Sequence, residues 1–245
     1  MRSFVRFWVW ILLWLGIAAQ AQEQCGVEVK LLLVPSEIQS AMRAFHAGTG
    51  TSGWVYLFDT SALDLLSQGV IVRLRQGTTA DLTVKLRTPA ERKIVEMSGV
   101  KDQYKCEVDL TGGIEYRSYS IQTKFAAAPP ETGNEIFALL SPAQKRLLKQ
   151  AHVPIDWTLV KRVADIKSTD WQIKGQPPFP KLTLELWEWP TGEVLEVSTK
   201  VGAGAGLSAY TNLQHLAATK GLSLSSGQRF KTALALEGIT GTTAH

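Results

Sequence analysis

The chain has 245 residues, 45% of them hydrophobic, with 26 Lys and Arg against 22 Asp and Glu and a formal net charge of +4. That length suits one large β domain with a substantial core, and the near balance of charge, without a long run of either sign, points to neither a nucleic acid nor a membrane surface as partner. Two cysteines are too few for a disulfide scaffold, and His46, His152, His215 and His245 lack metal-ligand spacing, which argues against a histidine-built zinc site.

At the N-terminus, Arg2 and Arg6 precede an apolar run from Phe7 to Ala19 that ends in Ala19-Gln20-Ala21. The pattern predicts a secretory signal peptide, residues 1–21, cleaved after Ala21. Gln20, Gln22 and Glu23 interrupt the run before the roughly 20 apolar residues a membrane-spanning helix needs. Glu23 and Gln24 stand where a lipid-attachment signal carries small residues. The expectation is one periplasmic or secreted domain, residues 22–245, with no stable membrane anchor after cleavage. An oxidising compartment lets Cys25 and Cys106 form a disulfide, with two unpaired thiols as the alternative.

Val27 to Val34 reads as a strand, and Ser36-Glu-Ile-Gln39 as a capping box opening a helix to about Ala47. Trp54 to Asp59 is a strand, Ala62 to Gln68 a short helix, and Val70 to Gln76 and Leu82 to Arg87 are alternating strands. Further strands are expected at 104–110 and 116–124. Ser141-Pro-Ala-Gln144 is a second capping box, with proline at the first helical position. Strands at 157–165, 169–174, 181–189 and 193–201 follow, the last two joined by a hairpin at Pro190-Thr-Gly192. Helices near Ser208–Thr219 and Gly227–Leu236 close the chain. The order predicts an α+β fold on a large antiparallel sheet.

Side chains alternate across a strand, so residues of one parity share a face. Glu28 and Lys30 oppose Val27 and Val29; Arg73 and Arg75 oppose Val72 and Leu74; Lys85 and Arg87 oppose Val84 and Leu86. Lys105, Glu107 and Asp109 oppose Cys106, Val108 and Leu110, while Glu196, Ser198 and Lys200 share a face. A solvated polar face accounts for much of this. Paired arginines and lysines on recurring strands keep a second reading open: if the sheet closes, these faces line a common lumen, suited to a polyanion held through metal ions.

Tyr56-Leu-Phe-Asp-Thr60, Leu65, Gly69, Arg73-Leu-Arg75 and Leu82-Thr-Val-Lys85 together resemble the CYTH, or triphosphate tunnel metalloenzyme, superfamily. Glu28-Val-Lys30 matches the second half of its ExExK signature, and Lys105-Cys-Glu107-Val-Asp109 its basic-x-acid-x-acid strand. Leu184 to Val201 resembles its closing hairpin. The resemblance implies an antiparallel closed β-barrel, or tunnel, of about eight strands with helices packed outside. It implies that Lys30, Arg73, Arg75, Lys85, Arg87 and Lys105 bind phosphate, that Glu28, Glu107, Asp109 and Glu196 hold Mg²⁺ or Mn²⁺, and that Lys30 and Lys200 are catalytic candidates. Of Lys161 and Arg162, parity admits only one to the lumen.

The activity implied is metal-dependent hydrolysis of tripolyphosphate or another triphosphate compound, a small-molecule polyanion. Two departures stand out. Gly26 replaces the first glutamate of ExExK, and Ser198 a second acid on the late strand; each removes a hard oxygen ligand. The alternative is therefore noncatalytic binding of a phosphorylated or anionic ligand. No GxSxG elbow or cysteine–base pair offers a covalent nucleophile. Gly202 to Gly206 lacks a complete dinucleotide fingerprint and reads as a loop. Trp187 and Trp189, on one face with Glu185, are expected to pack under a helix rather than to stack on a ligand.

Overall fold

The computed structural model describes residues 25–77, 80–89, 104–151 and 154–243; the predicted signal peptide, His152 and His245 lie outside them. The strands are β1 (Gly26–Leu33), β2 (Thr51–Asp59), β3 (Val70–Gln76), β4 (Asp81–Pro89), β5 (Tyr104–Thr111), β6 (Ile114–Lys124), β7 (Lys161–Gln176), β8 (Phe179–Trp189) and β9 (Gly192–Val201). They close into a barrel in the order β1-β5-β6-β4-β3-β2-β7-β8-β9, with β9 pairing back onto β1. The barrel has nine strands rather than about eight. An odd number cannot alternate direction all round a ring, so one parallel contact is obligatory, and it falls between β1 and β5. Where two strands were expected at 157–165 and 169–174, β7 runs unbroken for 16 residues.

Alternation sorts the strand residues into cores outside and inside the barrel. Outside, Val29, Leu31, Leu184 and Val197 pack against α1 (Ile38–Ala44) and α5 (Gly206–Thr219). On another flank, Val72, Leu74, Val84 and Ile121 lie under α3 (Gly133–Leu139) and α4 (Pro142–Lys149). Inside, Leu32, Val55, Leu57, Ile71, Trp187 and Val194 meet Ala235 and Leu236 of α6 (Lys231–Thr240). The lumen is thus closed at one end by α6, a blind floor rather than a passage. Trp187 is fully buried there, and Trp189 packs against Gly238 of α6, as expected for tryptophans under a helix.

Local chemistry sets several of these helices. Ser141 accepts from the Gln144 N–H and the Gln144 side chain accepts from the Ser141 N–H, the reciprocal cap expected at α4. Thr132 and Glu135 form the same device at the start of α3, a helix the sequence reading passed over. Ser36 does not cap α1. Pro35 starts a 3-10 turn over Pro35–Glu37 one residue earlier, and the Glu37 carboxylate accepts instead from the Ser223 N–H at 2.7 Å.

Cys25 and Cys106 are joined by a disulfide, with Cα atoms 5.0 Å apart, on the outward side of the parallel seam. It closes a loop with a sequence separation of 81. In the chain-entropy model such a loop stabilises by about 4 kcal/mol. Replacing Cys25 and Cys106 together by serine is expected to lower the thermal midpoint by roughly 10 °C. The wild-type chain under reducing conditions should melt with the variant; coincident melting of all three forms would show that the seam holds without the bond.

Candidate functional site

The motif that carries the resemblance is partly architectural. The Asp59 carboxylate accepts from the N–H groups of Thr60, Leu65 and Leu66 at 2.7, 2.9 and 3.0 Å, capping the short helix α2 (Asp64–Ser67). Gly69 follows with φ +72°, its carbonyl accepting from the Arg87 N–H at 2.7 Å; a Cβ there would lie 2.1 Å from the Arg87 carbonyl oxygen. Only glycine fits that approach. The turn therefore aligns β3 with β4, and so Arg73 and Arg75 with Lys85 and Arg87.

These four side chains line a cavity of about 350 Å³ above the α6 floor. Glu28, Lys30, Lys105, Glu107, Glu196 and Lys200 share it, together with Glu185 of β8 and Phe230 and Lys231 at the start of α6. Every phosphate-binding and metal-ligand candidate named from the sequence is thus brought to one lumen, Asp109 lying beneath as the partner of Lys30, Lys85 and Arg87. Lys161 and Arg162 are not in it. Register shifts between Leu57 and Phe58, so Arg162 faces outward, pairing with Glu131 and, at 3.0 Å, Asp165.

One wall is organised by Asp109, which is 0% exposed. Its carboxylate accepts from Lys30 at 2.6 Å, Lys85 at 2.8 Å, Arg87 at 3.0 Å and the Ser118 hydroxyl. Burial alone would raise the Asp109 pKa; the Lys30, Lys85 and Arg87 charges overcome it and hold the carboxyl well below its ordinary range. The opposite happens at Lys30. Burial lowers it, but Asp109 and Glu28 raise it further, so it stays protonated. Lys85, buried and beside Lys30, falls to about 8.

On β3, Arg73 makes no ion pair among the described residues, and its Nε is buried without a hydrogen-bond partner. Burial, followed by the neighbouring Arg75, lowers it to about 10. Arg75 reaches Glu185 only at 3.8 Å, and Lys105 only Gln122 at 3.4 Å. Among the described cations lining the cavity, Arg73, Arg75 and Lys105 have no carboxylate oxygen closer than 3.8 Å. A buried donor without an acceptor, such as Arg73 Nε, favours an incoming anion.

Carboxylate oxygens of Glu28, Glu107 and Asp109 lie within 4.8 Å of one another in the same lumen. A cluster of hard oxygens is the donor set a divalent cation takes. Lys30 bonds Glu28 at 2.8 Å and Lys200 bonds Glu107. Burial would raise Glu28, yet Lys30 more than offsets it and its pKa is lowered. Burial lowers Lys200, but Glu28 and Glu107 together outweigh it and raise its pKa, which keeps it a cation rather than a base at neutral pH. Gly26 aligns with Glu107 and Ser198 with Lys30, so both departures from the resemblance lie at this site.

Glu196 sits elsewhere. It is the cross-strand neighbour of Glu185, and Lys231 of α6 bonds both, Glu196 at 2.8 Å. Glu185 also accepts from Trp187 Nε1 at 2.6 Å and the Ser168 hydroxyl at 3.0 Å. Phe230 lies under the Arg87 guanidinium, 3.5 Å from ring centroid to Cζ. Sequence reasoning missed Glu185, Ser118 and Lys231. Alternation on β8 and β6 could have found the first two; no local pattern marks Lys231, which a distant helix delivers.

No protein-family model and no curated protein sequence matches the chain. Among solved structures, it is similar to an adenylyl cyclase candidate from Hippeastrum with a dominant triphosphatase activity, with 16% identity, coverage of 86% of this chain and 95% of that one, and a TM-score of 0.58. A candidate adenylate cyclase from Bacillus halodurans has 14% identity over 84% and 95% of the two chains, with a TM-score of 0.55. At these identities the likeness is one of fold: the closed barrel expected from the resemblance to the triphosphate tunnel superfamily is present.

Burial raises Glu185, but Lys231 and then Arg75 outweigh it, so its folded pKa lies well below the unfolded value. Its contribution to stability is therefore present above the ordinary carboxylate range and lost as pH falls from about 4 towards the folded value. Glu185→Gln, which leaves Lys231 paired with Glu196 alone, is expected to cost about 1.5–3 kcal/mol at pH 7. In urea unfolding the gap should narrow steadily below pH 4; a gap independent of pH would mean that Glu185 is not ionised in the folded protein.

Proposed function

We propose that the lumen binds the phosphate chain of tripolyphosphate or another triphosphate-bearing compound and hydrolyses it with Mg²⁺ or Mn²⁺, as a divergent member of the triphosphate tunnel superfamily. The observation that carries this reading is the cavity itself, which gathers the under-satisfied Arg73, Arg75 and Lys105, the Asp109-bound Lys85 and the Glu28 and Glu107 carboxylates in one lumen. The triphosphatase activity of the Hippeastrum neighbour supports the same class of substrate.

Cleavage of a terminal phosphoric anhydride needs positive charge on the transferred and leaving groups, because negative oxygens shield phosphorus from attack. Arg73 and Arg75 supply it bidentately, and Lys85 and Lys105 as point charges. Lys30, held protonated by Asp109 and Glu28, adds a fixed cation that cannot drift out of line. Glu28 and Glu107 are the residues that would hold the metal. When bound, it would supply Lewis-acid stabilisation of phosphoryl oxygens and orient the attacking water. Asp109 contributes through the lysines and Arg87, which take up its oxygens.

The disulfide between Cys25 and Cys106 supports an oxidising compartment, in keeping with export directed by residues 1–21. Outside the cytosol, inorganic polyphosphate or a scavenged phosphorylated compound is a more available ligand than cytosolic ATP. The purified domain, residues 22–245, should release phosphate from tripolyphosphate with Mg²⁺ or Mn²⁺. Arg73→Ala or Lys85→Ala should each lower kcat roughly 100-fold or more.

A second reading has its own support. Gly26 and Ser198 provide no carboxylate, and Glu196 is taken by Lys231, so the lumen keeps its cations while its acidic side is thinned. A noncatalytic receptor for a phosphorylated or other anionic ligand fits that balance. It predicts that tripolyphosphate raises the thermal midpoint with neither metal nor turnover required. No phosphate release with either metal, together with such a shift, selects the receptor; absence of both removes the phosphate-tunnel reading altogether.

A further inference from the structure

We propose that Lys231 is a tethered cation standing in the place of a divalent metal between Glu185 and Glu196, so that this wall of the lumen is neutralised by the protein itself. Glu185 and Glu196 are direct cross-strand neighbours on β8 and β9, both facing the lumen. Two carboxylates in that relation repel one another and, once out of water, require a cation. A proton, a metal or a side chain can serve, and here the Lys231 ammonium bonds both. The three side chains are only 12%, 14% and 5% exposed, in the order Lys231, Glu185, Glu196.

Lys231 is also held in place. It is the first residue of α6, whose Ala235 and Leu236 are wedged into the barrel floor, and its ammonium lies 4.9 Å from the centroid of the Trp187 ring. Trp187 and Ser168 take the Glu185 oxygen that Lys231 leaves, so no lone pair faces the cavity uncommitted on that atom. A divalent ion bridging this pair needs hard oxygens at about 2.0–2.6 Å around the position that one ammonium, bonded to both carboxylates, already fills. Metal is thereby kept from the Glu185–Glu196 pair; placing it instead at Glu28 and Glu107, which two separate ammoniums bond, rests on the reading given under Proposed function, whereas the role of Lys231 does not.

The test is titration of residues 22–245 with Mn²⁺ alone, followed by calorimetry. Lys231→Met, which keeps the aliphatic stem against Trp187, is expected to take up one Mn²⁺ per chain more than the wild type. The added uptake should vanish in Lys231→Met/Glu196→Gln and be absent from Lys231→Arg. If Lys231→Met melts early without metal, Mn²⁺ should restore its thermal midpoint, which reports the same vacancy by another measurement. Equal Mn²⁺ stoichiometry in wild type and Lys231→Met, with no thermal recovery, overturns the proposal. So does loss of a wild-type Mn²⁺ site on Glu196→Gln. No uptake by the wild type but one ion in Lys231→Met would leave this proposal standing and remove the Glu28–Glu107 metal site instead.

Discussion

Everything in this barrel follows from the need to keep ionised groups paired once a closed sheet has taken them out of water. An unpaired charge in a low-dielectric interior costs several kcal/mol, while a pair with good geometry roughly offsets its own desolvation. Asp109 shows the rule at its most concentrated: one fully buried carboxylate fixes two lysines, an arginine and a serine hydroxyl. Because those cations come from β1 and β4 and the carboxylate from β5, the network also ties together strands on both sides of β6 and across the parallel seam. Of the residues proposed to meet a ligand, Arg73, Arg75 and Lys105 are those the network leaves over.

The charged lumen was legible because strand alternation is strict. Glu28 with Lys30, Arg73 with Arg75, and Lys105 with Glu107 and Asp109 could be assigned to one face without knowing which strands were neighbours. What alternation cannot give is partnership across the barrel. Asp109 reads as one acid in an acidic strand, yet its oxygens face Lys30, Lys85 and Arg87, which are 79, 24 and 22 positions away in the sequence. The nine-strand count was obscured for a related reason: the polar stretch around Lys167 and Ser168 resembles a turn in sequence but continues β7, its side chains paired with Trp187 and Glu188 of β8. Arg162 left the lumen through the register shift opposite Leu57 and Phe58, which no periodicity anticipates.

Lys231 was invisible for a different reason. A lumen built only from strands needs its neutralising charges on strands, and the reading of the sequence looked for them there. Closure of one end by α6 adds a residue whose position is set by Ala235 and Leu236 in the floor rather than by any strand. Phe230, the cap residue before α6, lies against Arg87, so the cap and the first helical residue touch the Asp109 network and the Glu185–Glu196 pair respectively. The plug and the two charge networks therefore form one mechanical unit. Disturbing the helix start would loosen both walls.

Both departures from the resemblance fall on the acidic side of the lumen. Gly26 stands beside Glu107 across the parallel seam, and Ser198 beside Lys30 across β9, so each missing carboxylate is missing where Glu28, Glu107 and Asp109 already crowd one another. Removing negative charge there relieves like-charge repulsion and leaves Lys30 and Lys200 with fewer competitors, which favours an anion in the cavity as much as it weakens a metal. The disulfide lies on the outer face of the same seam, its Cys106 flanked in sequence by Lys105 and Glu107. A covalent tie at that point holds β1 against β5 where the ligand-facing carboxylates are thinnest, so the geometry of Glu28 and Glu107 does not depend on a bound ion to be maintained.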